Sequence, residues 1–326
     1  MTAEVIHLDW FKPDISLISE AAQIILKGGL VAFPTETVYG LGANAMDEDA
    51  VLSIFQAKGR PADNPLIVHI HSLDQLDGIV SGFSPLAEKL MESFWPGPLT
   101  LVMSSRKTLP PVVTAGLDTV ALRMPSNPIA RELIRISGVP IAAPSANRSG
   151  RPSPTDAAAV FEDLSERIDL ILDAGPTYVG VESTVVDVTG QQMVLLRPGG
   201  LSLEALEEIV GPVLTSSSLE ESKRSPGTRY RHYAPLVPLL LWEEGENLLK
   251  DLPCDPGKAG YVGMVQPGLD LSETIIFSDI DGYARGLFSA LRDLESRGVQ
   301  IIVAQLPPPE GIGRALRDRL RRASGE

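Results

Sequence analysis

The chain has 326 residues, of which 44% are hydrophobic and 21% are charged, and its formal net charge at pH 7 is −14. This composition predicts a packed chain of about two domains and excludes a wholly disordered protein. The acidic excess argues against a protein that holds nucleic acid by bulk charge, although it is compatible with a local basic site. The single cysteine, Cys254, excludes a disulfide framework and a cysteine-rich zinc site.

The N-terminal segment and the lengths of the apolar stretches predict where the protein is located in the cell. The segment MTAEVIHLDW lacks the basic region and the apolar run of a secretory signal. No uncharged apolar stretch approaches the roughly 20 residues of a membrane span. We therefore expect a cytoplasmic protein that has no membrane partner.

Alternating strand-like and helix-like patterns fill the first two thirds of the chain. Helical spacing of apolar residues begins at Ile15 and stops at Gly28-Gly29, and Asp47 is placed to cap the next helix. The predicted helices are 15–26, 47–58, 85–94, 127–137, 155–164 and 203–210. The predicted strands are 30–33, 66–70, 99–103, 120–123, 141–143, 170–173, 184–188 and 194–197. This mixture indicates an α/β domain over residues 1–212 with a large mixed sheet.

A polar segment separates this region from a second α/β pattern. Residues 213–236, VLTSSSLEESKRSPGTRYRHYAPL, contain four basic and two acidic side chains, whereas residues 1–212 contain 14 basic and 26 acidic ones. The composition is typical of a linker, which could be a simple spacer, but the end TRYRHYAP favours a segment that folds back onto a site. In residues 237–326, predicted strands at 239–242, 260–265, 274–278 and 300–305 alternate with helices at 280–297 and 313–323. That pattern indicates a small parallel α/β domain.

Common nucleotide-binding and hydrolase motifs do not account for this chain. The sequence has no G-x-x-x-x-G-K-[ST] phosphate loop, no H-E-x-x-H and no G-x-S-x-G. The run from Gly40 to Ala45 matches G-x-G-x-x-A, but residues 34–37 separate it from the preceding strand, against the Rossmann pattern. His69 and His71 would share one face of a strand, which is also compatible with two half-buried histidines and no ligand.

Basic residues adjoin loops that are rich in Gly, Pro and Ser, and this combination predicts an anion-binding cleft. Lys58 and Arg60 end a helix, and Arg123 and Arg197 end apolar strands. Glycines at 40 and 42 would allow a tight turn and close approach of a ligand. Alternatives exist for each cation: Lys58 and Arg60 could complement a helix C-terminus, Arg123 could form a surface salt bridge, and Arg197 could belong to a turn. Together they favour a ligand with phosphates, a carboxylate, or both.

Eight ordered segments of the sequence are together more specific than any one short motif. The segments are FPTETVYGLG, KGRPADNPLIVHI, FWPGPLTLV, ALRMPSNPIA, APSANRSGRPSPT, DAGPTYVGVESTVVDV, LLRPGG and SPGTRYRHYAP. In this order they resemble the Sua5/YrdC/YciO family of threonylcarbamoyl-adenylate synthases. The resemblance implies an α/β fold: a YrdC-like domain over 1–212, with a large twisted mixed sheet flanked by helices, and a smaller Rossmann-like parallel α/β domain over 237–326. It also implies that the linker, 213–236, folds over the active site.

The activity implied by the resemblance joins L-threonine, bicarbonate and ATP into threonylcarbamoyl-adenylate, with release of pyrophosphate. Mg²⁺ would accompany ATP, and no protein metal ligand is implied. In the family the product serves the N6-threonylcarbamoyl modification of the adenosine beside the anticodon of tRNA. The implied partners are therefore the separate proteins that transfer the group to tRNA, with a weak tRNA contact of the chain itself also compatible.

The resemblance also assigns residues to the two substrates. The positions implied for threonine and its carbamoyl group are Thr37, His69, Arg123, Ala143 and Ser183. The positions implied for the nucleotide are Lys58, Arg60, Asn64, Thr119, Ser145, Ser153, Arg197, Tyr230, His232 and Tyr233. Lys58, Arg60, Arg123 and Ser183 are the implied catalytic positions, and the three linker residues would cover the nucleotide as a lid.

Two other functions remain open from the sequence. The chain could be an RNA-binding or ribosome-maturation factor without catalysis, which its net acidity disfavours. It could also be an enzyme of neighbouring chemistry, such as a carbamoyl transferase or an adenylate-forming enzyme for another amino acid.

Overall fold

Two β-sheets organise the part of the chain that the computed structural model describes, which is residues 2–215, 232–248 and 252–325. The large sheet is mixed and has the strand order β1-β8-β2-β3-β7-β4-β6-β5-β9-β10-β11. Its strands are β1 (Glu4–His7), β2 (Val31–Phe33), β3 (Gly40–Asn44), β4 (Ile67–His69), β5 (Leu99–Ser104), β6 (Thr119–Arg123), β7 (Ile141–Ala142), β8 (Leu170–Asp173), β9 (Thr184–Asp187), β10 (Val194–Arg197) and β11 (Leu214–Thr215).

Helices cover both faces of the large sheet. They are α1 (Ile15–Leu26), α2 (Glu48–Lys58), α3 (Pro85–Phe94), α4 (Pro111–Thr114), α5 (Pro128–Ser137), α6 (Ala157–Leu164) and α7 (Leu203–Val210). Along β2, Val31 belongs to the buried cluster that contains residues of α1 and α5, whereas Ala32 belongs to the cluster that contains residues of α2 and α3. Since successive strand residues point to opposite faces, this alternation confirms the expected sheet flanked by helices.

The second sheet is parallel and has four strands in the order β12-β15-β13-β14 within the described residues. These strands are β12 (Leu239–Trp242), β13 (Ala259–Gly263), β14 (Glu273–Ile276) and β15 (Ile301–Gln305), and the helices are α8 (Ile280–Ser296) and α9 (Gly313–Ser324). Residues Leu73–Gly78 and Pro256–Lys258 form short 3-10 turns. None of the helices in the described part of the chain is both long enough and apolar enough to cross a membrane.

Strand pairing brings the ends of distant segments to one edge of the large sheet. In the parallel pair β4–β6, His69 lies opposite Arg123, and in the antiparallel pair β5–β6, Thr100 lies opposite the same arginine. Strand β9 runs parallel to β5 and begins at Thr184, opposite Leu99. Ser183, directly before β9, therefore reaches the same edge of the sheet.

Local signals set where α2 begins and ends. The Asp47 carboxylate accepts the backbone N–H groups of Asp49 (3.0 Å) and Ala50 (3.2 Å), as predicted for a helix N-cap. Gly59 ends the helix in the left-handed conformation, with φ 62°. Lys58 is therefore the last helical residue, and its side chain is buried.

The glycines at 40 and 42 have a different role from the one predicted. Both lie in strand β3, antiparallel to β2, rather than in a tight turn. A Cβ at Gly42 would lie 2.7 Å from Cε1 of Phe33 and 2.9 Å from Ile141, and one at Gly40 would lie 3.3 Å from Cζ of Phe33. The glycines thus leave room for a buried aromatic ring, and the prediction of a turn here was wrong.

Close packing joins the two α/β units. Gly180 has a left-handed backbone, with φ +80°, and a Cβ there would lie 2.3 Å from the carbonyl oxygen of Ala284 in α8. Arg151 donates to both carboxylate oxygens of Glu295, at 2.7 and 2.8 Å. The predicted linker, 213–236, lies mostly outside the described residues, but its described end continues along this interface.

The packing at Gly180 is testable by adding one methyl group. We expect Gly180→Ala to lower the free energy of unfolding by about 2 kcal/mol more than Gly298→Ala does. Gly298 is the matched control because it has the same φ, +80°, but nothing lies within 4 Å of its Cβ position. Urea unfolding of both variants measures the difference, and equal losses would contradict the proposed overlap with α8.

Candidate active site

A cavity that is partly open to solvent lies at the sheet edge where β4, β6 and β10 end. Its walls come from the loops around 35–40, 58–69 and 143–149, from 182–183, and from the linker end at 232–233. Eleven of the sequence-predicted residues line it: Thr37, Lys58, Arg60, His69, Arg123, Ala143, Ser145, Ser183, Arg197, His232 and Tyr233.

Three predicted residues within the described part of the chain do not line the cavity, and a fourth lies outside that part. Asn64 is buried next to the cavity, and its carbonyl accepts Nη2 of Arg60 at 3.2 Å. Ser153 lies behind the wall, and Thr119 starts β6, at the opposite end of the strand from Arg123. Tyr230 lies outside the described residues. Their assignment to the nucleotide stays a prediction.

Arg123 is buried at the cavity and is 3% exposed, so it forms no surface salt bridge. Its Nη2 lies 2.7 Å from Oε1 of Glu36, its Nη1 donates to Oγ1 of Thr37 at 2.9 Å, and its Nε donates to the Gly97 carbonyl at 3.3 Å. The other oxygen of Glu36 accepts the Ser126 N–H at 3.1 Å. Glu36 thus balances the buried charge of Arg123, while the guanidinium group still faces the cavity.

Lys58 lies in the cavity wall and has no carboxylate partner among the residues that the structure describes. Its Nζ donates to the carbonyl oxygens of Ser145 (2.5 Å) and Asn147 (2.6 Å) and lies 3.3 Å from Oδ1 of Asn147. These acceptors belong to the loop after β7, not to the end of α2. Burial, with a smaller contribution from Arg60, lowers the pKa of Lys58 well below its ordinary value. An anion in the cavity would therefore stabilise its charged form.

Arg197 and Ser183 form one hydrogen-bonded unit. The Nη2 of Arg197 donates to the carbonyl of Ser183 at 2.9 Å and to its Oγ at 3.2 Å. The Ser183 hydroxyl also lies 2.8 Å from Oγ1 of Thr100. Arg197 thus orients both the backbone and the side chain of Ser183, so its role is not limited to a turn.

His69 is buried between the apolar ring of Phe33 and the charge of Arg123. Burial, together with Arg123, lowers the pKa of His69 to about 3. The imidazole is therefore neutral near pH 7, so it can donate one hydrogen bond and accept one without adding positive charge.

The linker end closes one side of the cavity. Burial, followed by the charges of Arg60 and Lys58, lowers the pKa of His232 to about 4. Its Nε2 is buried and has no hydrogen-bond partner among the residues that the structure describes. Tyr233 stacks on Phe288 of α8, with 5.4 Å between the ring centroids. The described part of the linker thus contacts both the cavity and the second α/β unit.

Two acidic residues of the site were missed in the sequence analysis. Glu36 neutralises Arg123, and Glu182 lines the cavity with one oxygen accepting the Ser153 hydroxyl at 2.5 Å. Glu36 lies next to Thr37 in FPTETVYGLG, and Glu182 lies next to Ser183 in VESTVVDV. An acidic residue beside a predicted site residue is the signal that could have identified both. Burial opposes the charge of Glu182, but Arg319 and Arg197 hold its pKa below the ordinary value.

No group of three or more His, Cys, Asp or Glu side chains in residues 2–215, 232–248 and 252–325 could hold a metal ion. The carboxylates nearest the cavity, Glu36 and Glu182, are already engaged by arginines. The arrangement suits anions, because cations and hydroxyl groups face a shared space.

Family models match both α/β units. The model described as "Telomere recombination", of the Sua5, YciO and YrdC proteins, covers residues 23–199. The model described as "Threonylcarbamoyl-AMP synthase, C-terminal domain" covers residues 201–325. The chain belongs to the Sua5/YciO/YrdC family and is of the longer Sua5 type.

Individual relatives are similar over nearly the whole chain. The threonylcarbamoyl-AMP synthase of Pyrococcus abyssi (strain GE5 / Orsay) is 48% identical over 319 residues, which cover 94% of this chain and 93% of that protein. The enzyme of the same name from Bacillus subtilis (strain 168) is 44% identical over 321 residues, which cover 94% and 93%. The crystal structure of P. abyssi Sua5 complexed with L-threonine superimposes with a TM-score of 0.92 at 45% identity, over 98% of this chain and 97% of that one.

The buried histidine makes folding depend on pH. A His that has a pKa of about 3 in the folded state and about 6.5 when unfolded must lose its proton on folding, so stability falls as the pH drops below 6.5. Between pH 7 and pH 5 this costs about 2 kcal/mol. We expect His69→Gln to remove that part of the acid destabilisation, measured by urea unfolding at both pH values. An unchanged difference between pH 7 and pH 5 would show that folding does not lower the pKa of His69.

Proposed function

We propose that this chain is an L-threonylcarbamoyl-adenylate synthase, a nucleotidyltransferase that joins L-threonine, bicarbonate and ATP and releases pyrophosphate. The observation that carries the proposal is the cavity, whose wall combines Arg123, which is paired with Glu36, with Lys58, Arg60 and Arg197. The name threonylcarbamoyl-AMP synthase, carried by relatives that are similar over nearly the whole chain, supports it, as does the threonine complex of the P. abyssi protein.

The reaction joins two anions, and this sets what the residues must do. The amine of threonine adds to carbon dioxide or bicarbonate to give a carbamate, with loss of water in the bicarbonate case. A carbamate oxygen then attacks the α-phosphorus of ATP, and the bond to the pyrophosphate group breaks. Because both reactants are negatively charged, catalysis needs positioning and charge compensation rather than a covalent nucleophile on the protein.

The residues around Arg123 suit threonine. The guanidinium group would pair with the threonine carboxylate, since Arg123 lines the cavity and Glu36 already orients it. Thr37 and the neutral His69 supply hydrogen bonds without further charge. Ser183, held by Arg197, is placed where it can contact the carbamoyl group, with the Ala143 backbone beside it.

The residues around Lys58 suit the nucleotide. Lys58, Arg60 and Arg197 would offset the phosphate charge, and Ser145 and the unpartnered Nε2 of His232 offer polar contacts. ATP would enter as its magnesium complex, in which the ion neutralises phosphate charge and is held by phosphate and water oxygens. His232 and Tyr233 shield one side of the cavity, and exclusion of water there would protect the hydrolysable mixed anhydride.

The product has a defined use if this activity is correct. A threonylcarbamoyl-adenylate is an activated acyl donor, so separate proteins would transfer the group to the adenosine beside the anticodon of tRNA, in the cytoplasm. We propose that any tRNA contact of this chain itself is weak, because its net charge is −14.

Pyrophosphate release by the purified protein tests the function. With ATP and Mg²⁺ present, we expect release only when threonine and bicarbonate are both supplied. Release with threonine alone, in degassed buffer, would indicate ordinary amino-acid adenylation instead. No release under any of these conditions, combined with RNA binding that weakens steeply with salt, would favour a non-catalytic RNA-binding factor.

The role assigned to Arg123 is testable by kinetics. We expect Arg123→Met to raise the KM for threonine about 100-fold, the equivalent of about 2.7 kcal/mol for a lost charge-assisted contact, and to leave the KM for ATP nearly unchanged. Because the variant leaves Glu36 as an unpaired buried charge, the control is Arg123→Met combined with Glu36→Gln, which should regain stability but not threonine affinity. A normal KM for threonine in the double variant would contradict the assignment.

A further inference from the structure

One arginine of helix α9, Arg319, extends into the wall of the cavity. The helix contains five arginines, and four of them are exposed or half-buried: Arg314, Arg317, Arg321 and Arg322. Arg319 differs because it is 0% exposed and reaches across to the large-sheet unit. A buried arginine at an interface needs partners that balance its charge, and those partners belong to the cavity wall.

Arg319 binds the two segments that carry Ser183 and Arg197. Its Nε donates to Oε2 of Glu182 at 2.6 Å, and its Nη2 donates to the Pro198 carbonyl at 3.0 Å. These segments touch directly, because a Cβ at Gly199 would lie 2.3 Å from the carbonyl carbon of Ser183. One guanidinium group therefore fixes both walls at the point where they meet, and its Nη1 is held in turn by Asp318.

Tyr233 of the linker lies over the same guanidinium group. The Arg319 carbon Cζ is 5.2 Å from the centroid of the Tyr233 ring, within the range of a cation–π contact. Tyr233 has a left-handed backbone, with φ 67°, which is costly for a residue with a Cβ. The contacts with Arg319 and Phe288 on its ring, and the hydrogen bond from Ala234 N–H to the Gly150 carbonyl at 2.8 Å, therefore hold a conformation that the backbone alone disfavours.

We propose that Arg319 is a positioning residue through which the C-terminal unit sets nucleotide affinity: it holds Glu182 and Tyr233 in place in the cavity wall. The inference rests on the proposed function for the identity of the nucleotide, ATP. Arg319 does not line the cavity itself, so it acts through residues that do. Ser183, assigned to the carbamoyl group, follows Glu182, so affinity for threonine is also expected to fall, but less than affinity for ATP, because Arg123 is held by Glu36 rather than by Arg319.

The test must distinguish a role of Arg319 in stabilising the fold from a role in positioning residues of the cavity wall. Arg319→Met leaves the Glu182 carboxylate buried without its main partner, which destabilises the fold whether or not nucleotide binding depends on Arg319. Arg319→Met combined with Glu182→Gln removes that unpaired charge and should restore stability. The double variant still lacks the hydrogen-bond donor to the Pro198 carbonyl and the cation beside the Tyr233 ring, so its affinity for ATP should remain low.

Arg292 offers a matched control in the same interface. It is also a C-terminal-unit arginine with a side chain 9% exposed, and it pairs with Asp163 at 2.7 Å and donates to the Pro152 carbonyl at 2.6 Å. Neither of these acceptors lines the cavity. Arg292→Met should therefore weaken the interface without changing nucleotide affinity.

The test measures ATP binding by equilibrium dialysis without threonine, together with the KM values for ATP and threonine from pyrophosphate release, at a temperature where each variant is folded. We expect Arg319→Met and the double variant to weaken ATP binding about tenfold and to raise the KM for ATP equally, with the KM for threonine changed less than about threefold. Arg319→Lys, which keeps a charge beside Glu182 but not the planar donor pair, should recover part of the affinity.

Two results would overturn the inference. One is normal ATP affinity in the double variant, and the other is an equal loss of affinity in Arg292→Met. Failure of the proposed function would be seen separately, because the wild-type chain would then release no pyrophosphate in a threonine- and bicarbonate-dependent manner while the dialysis still reports on Arg319.

Discussion

The catalytic region depends on one constraint: cations that must meet anionic ligands are buried at the edge of an apolar sheet. Burying an unpaired charge is costly, so each cation needs compensation before any ligand arrives. Arg123 is compensated by a full ion pair with Glu36, and Lys58 only by neutral carbonyl oxygens. The surrounding loops are arranged so that they supply these partners.

The two kinds of compensation have different consequences. An arginine that is paired with Glu36 keeps its charge and orientation, which suits a fixed contact with a carboxylate. Burial lowers the pKa of Lys58, and its amino group already donates to the loop that contains Ser145 and Asn147. Binding of phosphate near Lys58 would therefore change the hydrogen bonds of that loop, whereas binding of a carboxylate at Arg123 need not move Glu36.

The second α/β unit belongs to the same system of buried charges. Glu182 lies between Arg197, of the large sheet, and Arg319, of helix α9, so its charge is balanced from both units. The linker end is held where these units meet, by Glu295, which accepts the Leu236 N–H at 2.6 Å, and by the stacking of Tyr233 on Phe288. The contacts that dock the two units are therefore also contacts that complete the cavity wall.

The sequence by itself determined the elements with strong periodicity and local caps, such as the helix that begins after Asp47 and the strands that end at His69, Arg123 and Arg197. It also determined that these cations adjoin polar loops, and the quoted segments identified the family. These signals are local, because caps, turns and side-chain periodicity involve residues a few positions apart. Only the tertiary structure decided that Gly40 and Gly42 lie in a strand against Phe33, that Glu36 and Glu182 balance the arginines, and that Arg319 reaches the site from 137 residues beyond Glu182. Those features depend on strand order and on the docking of the two units, and pairings between residues so far apart leave no pattern in a single sequence.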